Sequence, residues 1–173
     1  MKRLSILLSF LIITFLINAQ SIKSDGSLVK FKVSNMKWKT VEGMFTGMDG
    51  KVIFDAQNLS DANFDVSINP ATVNTENEKR DNHLRNEDFF HVDKYPKIGF
   101  KSTSIIKTAK AYKAIGNLTM HGITKPVEIN FTYSNNSLVG KLLVNRLDYE
   151  IGTDTGTFMV GDEIELEILC KLL

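Results

Sequence analysis

Three histidines, one cysteine and two Arg–Asp pairs are the residues of this chain best suited to chemistry. His83, His91 and His121 are all of its histidines. A zinc site would need them to converge with tetrahedral geometry. Their spacings match no ligand motif, such as two histidines four apart on a helix, so each reads as a helix-surface or turn residue and no metal is expected. Cys170 stands alone, which leaves no partner for an intrachain disulfide. Its place in an alternating apolar strand makes it a packed hydrophobe rather than a nucleophile. No G-x-S-x-G motif is present. Arg80 with Asp81, and Arg146 with Asp148, are charged pairs. An arginine of this kind ties a loop through hydrogen bonds to backbone carbonyls or a carboxylate, so both pairs, together with His83, are expected to serve structure. No catalytic constellation emerges, and the chain does not read as an enzyme.

The elements around these residues are strands. Val29, Phe31 and Val33 alternate with polar neighbours, as do Ala62, Phe64, Val66 and Ile68. The same period recurs at Ile98 and Phe100, at Val127 to Tyr133, and most clearly at Ile164, Leu166, Ile168, Cys170 and Leu172 against Glu163, Glu165, Glu167 and Lys171. A period of two marks a half-buried antiparallel strand. Less regular strands fill Val41–Met48, Lys51–Asp55, Ala111–Met120 and Leu138–Val144, and turn signals stand at His121-Gly122, Asn135-Asn136 and Asp154 to Gly156. The expected fold is all-β, an antiparallel barrel of about eight strands, because an open sheet of that length leaves exposed edges. One stretch differs. Residues 74–83 hold no apolar side chain. Thr75 with Glu78 has capping-box spacing, and Glu76 with Arg80 is an i,i+4 pair, which predicts one short helix near residues 76–84 across the end of the barrel.

Phenylalanines are spread over many of these elements. A barrel of this size either fills with side chains or holds one ligand, and both outcomes are open at this level. The phase of alternation turns Phe31, Val33, Phe45, Phe64, Val66, Phe100, Leu118 and Phe131 inward, with Phe89 and Phe90 near the mouth.

Lys2, Arg3 and an apolar stretch of 14 residues, Leu4–Ile17, precede Ala19. That is the anatomy of a cleaved secretory leader, and it is shorter than the ~20 residues needed to span a bilayer. Residues 1–19 are therefore expected to leave, with residues 20–173 forming one domain. Lys2 and Arg3 go with the leader, which takes 21 basic residues to 19 against 20 acidic ones. So neutral a balance points to neither nucleic acid nor an anionic membrane surface.

Residues 72–84, Thr-Val-Asn-Thr-Glu-Asn-Glu-Lys-Arg-Asp-Asn-His-Leu, resemble the T-x-N-x-x-R-D-x-H-L signature of the YceI-like family. Asp88 to Ser102 is similar to its D-F-F-x-V-x-x-Y-P-x-I-x-F-x-S continuation, and Gly116 to Val127 to its G-x-L-T-x-x-G-x-T-K-P-V block. Val41, Gly43, Phe45 and Gly50 match upstream; Asn145 to Tyr149 and Val160 to Ile164 match downstream. The resemblance implies a lipocalin-like barrel in the bacterial periplasm that holds a polyisoprenoid, a polyprenyl compound or a quinone tail, without catalysis. The ten inward residues named above would then be the ligand lining. No cofactor is implied beyond the lipid itself, the protein would not be integral to the membrane, and a homodimer is admitted. A packed-barrel stress or interaction module is the other reading. Three positions depart from the family: Asn35 where histidine is frequent, His91 where aspartate is, and Glu150 where glycine is. The exported protein is expected to begin at about Gln20, and amino-terminal sequencing of periplasmic material checks this; an intact Met1 there would contradict it.

Overall fold

The computed structural model describes residues 19–173, so the expected leader, residues 1–19, lies outside the described residues except for Ala19. Ten strands are present: β1 (Gln20–Ser21), β2 (Leu28–Asn35), β3 (Lys39–Phe45), β4 (Asp49–Ile53), β5 (Asn63–Ile68), β6 (Ile98–Lys107), β7 (Tyr112–Met120), β8 (Ile123–Ser134), β9 (Ser137–Asn145) and β10 (Val160–Lys171). One α-helix, α1 (Glu78–Arg85), lies between β5 and β6. The strands form one antiparallel sheet in the order β1-β4-β5-β6-β7-β8-β9-β10-β2-β3. The strand count exceeds the expected eight. Part of the excess is β1, two residues with no alternation to betray them, which pairs with Val52 and Lys51 of β4.

Alternation is kept where the register can be followed. Leu166 of β10 lies opposite Leu142 on one side and Phe31 on the other, and Ile164 lies opposite Val144 and Val33. The intervening glutamates face solvent, where they meet the lysines of neighbouring strands, as in Lys30–Glu167. Lys32 and Glu42 sit directly opposite each other and are joined at 2.6 Å. This bond raises the lysine's pKa and lowers the carboxylate's, but solvent exposure leaves such a pair screened and weak.

The two edges of the sheet are covered rather than zipped together. On β3, Met44 and Asn74 exchange backbone hydrogen bonds of 2.9 Å each, and Thr72 hydrogen-bonds both the N–H and the carbonyl of Thr46. On the other edge, the chain after β1 crosses to the end of β10, where Lys23 N–H donates to Lys171 and Leu173 N–H to Ser21. A bulge between Ser102 and Ser104 interrupts the β6–β7 ladder. The buried Ser102 hydroxyl accepts the Phe64 N–H at 2.8 Å. Opposite it, a Cβ on Gly116 would lie 2.3 Å from the Lys101 carbonyl. The two-residue turns foreseen at Asn135-Asn136 and His121-Gly122 are present, with positive φ at all four residues.

The helix starts later than its capping-box spacing suggests. Asn77 is the N-cap and accepts from the Arg80 N–H at 3.0 Å. Glu76 stands outside at φ 60°, so the Glu76–Arg80 pair does not form. Arg80 turns instead to Thr75, donating from Nε to the hydroxyl at 2.7 Å and from Nη2 to the carbonyl at 2.8 Å. The buried Asp81 carboxylate accepts from the N–H and the hydroxyl of the same threonine. Arg80 and Asp81 thus meet through Thr75 rather than as a direct pair. Arg85 adds bonds to the carbonyls of Ala71 and Val73. These side chains fasten the helix to the strap that covers β3.

Cys170 is buried in β10 as expected, and burial raises its thiol pKa from 9.0 to about 11.

Two measurements follow. Arg80→Ala should lower stability by roughly 1–3 kcal/mol, the cost of polar partners left unpaired, and an unchanged melting midpoint would contradict this. Between its ordinary pKa and about 11, Cys170 keeps its proton when folded and loses it when unfolded. Stability should therefore fall as pH rises through that window, by about 3 kcal/mol in all. Urea unfolding across this range should show the loss in the parent and not in Cys170→Ala; equal pH slopes would count against it.

Candidate functional site

Side chains from β2 through β10 converge on one interior cavity of about 210 Å³. The eight residues singled out from the phase of alternation line it, Phe31 and Val33 from β2, Phe45 from β3, Phe64 and Val66 from β5, Phe100 from β6, Leu118 from β7 and Phe131 from β8, and so do Phe89 and Phe90 from the segment after α1. The lining also takes Leu142 and Val144 of β9 and Ile164, Leu166, Ile168 and Cys170 of β10. These carry the same alternating signal and could have been named from it. Met48, Met120 and Ile151 also contribute, and they were not legible because they sit in or beside turns. Gly140 lines the wall opposite Phe131, where a Cβ would press on Ile129 at 3.0 Å.

The two ends of the cavity are covered differently. Phe54 packs against Phe64, Tyr112, Phe131 and Tyr133 with ring centroids 5.1–6.1 Å apart. Phe64 and Phe131 line the cavity; Phe54, Tyr112 and Tyr133 stand behind them as a plug. The opposite end, where the lining residues Val33, Leu84, Phe90, Ile98, Val160 and Ile164 lie, has no such plug of rings behind it among the described residues and is covered by α1 and loops; this is the mouth. Two covering segments meet there. Gly152 N–H donates to the Asp88 carbonyl at 2.8 Å. Gly152 has φ +60°, and a Cβ on it would strike the Phe89 ring at 2.7 Å.

Beyond Ser67 and the Cys170 thiol, the polar side chain on the lining is Arg146, and it is fully engaged. Its Nε donates to Gly161, Nη1 to the carbonyls of Ile151 and Gly152, and Nη2 to Thr155 and Val160 and to Asp162 Oδ1 at 2.9 Å. The expected Arg146–Asp148 pair is not formed. Asp162, sixteen residues along the chain, is the partner, and Asp148 reaches Lys125 at 3.5 Å. The reason is direction: the guanidinium points into the barrel wall, whereas Asp148 lies exposed on the 3-10 helix Arg146–Tyr149. The tie to backbone carbonyls is the structural role foreseen. Glu150, where the family favours glycine, closes that helix at φ 53°, and His91 lies at φ 43°. Each carries a left-handed cost of roughly 1–2 kcal/mol.

The histidines do not converge. His83 lies exposed on α1 with its ring on Phe89; His91 and His121 flank Tyr95, and His121 Nδ1 is 3.1 Å from the Tyr149 carbonyl. Among the described residues no group of three His, Cys, Asp or Glu is placed to hold a metal, and no helix is long and apolar enough to cross a membrane. What the site can do chemically is exclude water from a long apolar object: its wall is hydrocarbon and its one charge is already paired.

Known proteins share this architecture. The barrel superposes on BcnA of Burkholderia cenocepacia with a TM-score of 0.78 at 22% identity, over 86% of this chain and 98% of that one. It superposes on the YceI protein of Campylobacter jejuni with a TM-score of 0.68 at 28% identity, over 78% and 86%. A polyisoprenoid-binding domain from Saccharophagus degradans, implicated in plant cell wall breakdown, gives 0.67 at 16% identity over 88% and 96%, a likeness of fold. A UPF0312 protein of Yersinia enterocolitica is 33% identical over 154 residues, 83% of this chain and 79% of that protein. The family model for the YceI-like domain matches residues 20–172, the whole barrel from β1 to the end of β10, and on that match the chain belongs to the YceI-like family.

Proposed function

We propose that the protein is a non-catalytic carrier of a long isoprenoid chain, a polyprenyl compound or a quinone tail, and that it works in the periplasm after loss of its leader. The observation that carries this reading is the lining. Strands β2 to β10 contribute hydrocarbon to one cavity, and the single guanidinium there spends its donors on backbone carbonyls and Asp162. Such a wall offers a ligand no polar contact to lose. It gains about 0.8 kcal/mol for each methylene-sized group removed from water, so a five-carbon isoprene unit contributes about 4 kcal/mol. Association costs of roughly 4–15 kcal/mol are overtaken within a few units. The polyisoprenoid-binding domain of Saccharophagus degradans shares the fold, which supports the ligand class. The cavity weighs against a barrel filled by its own side chains.

Protein purified with its leader intact at expression should yield a prenyl lipid on organic extraction and mass spectrometry. Val66, half-buried on the cavity wall, is the place to fill the space. Val66→Trp should stay folded and retain several-fold less lipid, whereas in a packed core the added bulk would cost about 1–3 kcal/mol. Empty protein with no affinity for prenyl lipids would overturn the carrier. A destabilised Val66→Trp that keeps its lipid would return the packed barrel.

A further inference from the structure

Beside the mouth of the cavity the surface turns from charged to apolar. The β2–β3 hairpin ends in the loop Met36-Lys37-Trp38, and the segment before β10 ends in Phe158-Met159. Trp38 is 73% exposed, Phe158 50% and Met159 46%. They form one patch. The Trp38 and Phe158 rings meet edge to face at 5.9 Å, and Met36 N–H donates to the Met159 carbonyl at 3.3 Å. The patch is continuous with the cavity. Val160, next to Met159, lines the mouth and lies opposite Asn35, two residues beyond Val33, which also lines it. Met36 and Lys37 take φ of 49° and 63°, a left-handed turn built without glycine or asparagine, so the backbone spends strain to present this tip.

Two lysines frame the tryptophan. Lys37 reaches over the Phe158 ring at 5.9 Å, and Lys39 begins β3. Carboxylates stand beside Lys37 as well: Glu42, Asp162, Glu163 and Glu165 share a surface hollow with it. Glu42 is held by Lys32, and Asp162 by Arg146 and Thr157, so what sets this tip apart is its exposed rings and methionine more than net charge. Exposed tryptophan and phenylalanine flanked by lysine is the chemistry of the bilayer interface: the rings lie at headgroup depth while the ammonium groups reach phosphates. The chain's overall neutrality conceals this because the feature is local.

We infer that this tip docks the barrel on a phospholipid bilayer, mouth towards the membrane, so that an apolar chain passes between the two without crossing water. The inference rests on the carrier reading for its purpose and on the patch alone for its chemistry. Trp38 is the only tryptophan, so the intact protein reports its own docking. With vesicles of three parts phosphatidylethanolamine to one part phosphatidylglycerol, Trp38 emission should shift to the blue and be quenched by lipids brominated along the acyl chain. The double variant Phe158→Ser with Met159→Ser keeps the reporter and leaves the cavity lining intact. It should partition onto vesicles roughly tenfold more weakly, with its melting midpoint and its extractable lipid unchanged. Three outcomes overturn the docking: Trp38 emission that vesicles neither shift nor quench, a double variant that binds vesicles like the parent, or a tip already buried without vesicles in a dimer by sedimentation, which would make a second copy its partner. Lipid-loaded protein that ignores vesicles overturns the docking alone, and vesicle-bound protein that proves empty on extraction overturns the carrier alone.

Discussion

Ten strands curled on themselves enclose more space than their own inward side chains fill, and the rest of this molecule answers to that constraint. The inner face must be hydrocarbon throughout, because a polar group facing an unfilled apolar space has no partner. Both ends must be covered, and they are covered by different chemistry. At one end four aromatic rings surround Phe54, three of them edge to face and Phe64 tilted, a dense arrangement that excludes solvent. At the other end the cover is made of loops and one helix, and a loop cannot be held over a cavity by packing alone.

Buried polar groups do that holding. The stretch around α1 is polar along its length, yet Thr75 and Asp81 are buried. Their bonds to each other and to Arg80 satisfy what burial would otherwise leave bare. Arg146 does the same for the segment from Ile151 to Asp162, gathering the carbonyls of Ile151, Thr155 and Val160 and the Asp162 carboxylate. A charge buried this deeply is costly unless every donor is used, and here each nitrogen of the guanidinium has a partner. The two covers are then locked to one another through Gly152 and Phe89. The charged residues that looked most chemical in the sequence thus carry the scaffold.

Strands were legible because burial of one face writes a period of two into the sequence, and the walls of the cavity follow from the phase of that period. Contacts between distant parts of the chain were not. Asp148 lies two residues from Arg146, but the partner is Asp162, because closeness in sequence says nothing of where a guanidinium points. The capping-box spacing at Thr75 was a true signal of polarity and a false one for the helix start: Asn77 competes for the cap, and Thr75 is drawn into the cluster with Asp81. Whether the barrel is hollow depends on strand number and curvature, which no residue type encodes. His91 and Glu150 show the reverse case. Their left-handed backbones explain why other residues are favoured at those places, a reason invisible until φ is known.

The aromatic plug gives the cavity a direction. A sleeve open at both ends would let a chain thread through and leave by either side. If the protein is the carrier proposed above, a sleeve stopped by Phe54 and its neighbours would admit a chain by its leading tip and release it by the same path, in reverse order. The part of a guest that goes in first must be the part with no polar atoms, and any polar end stays outside, at the rim. For such a carrier, retention would depend on length: each further unit drawn inside would have to be drawn back out past the same residues before the guest is free, so residence time would grow with chain length faster than the rate of capture.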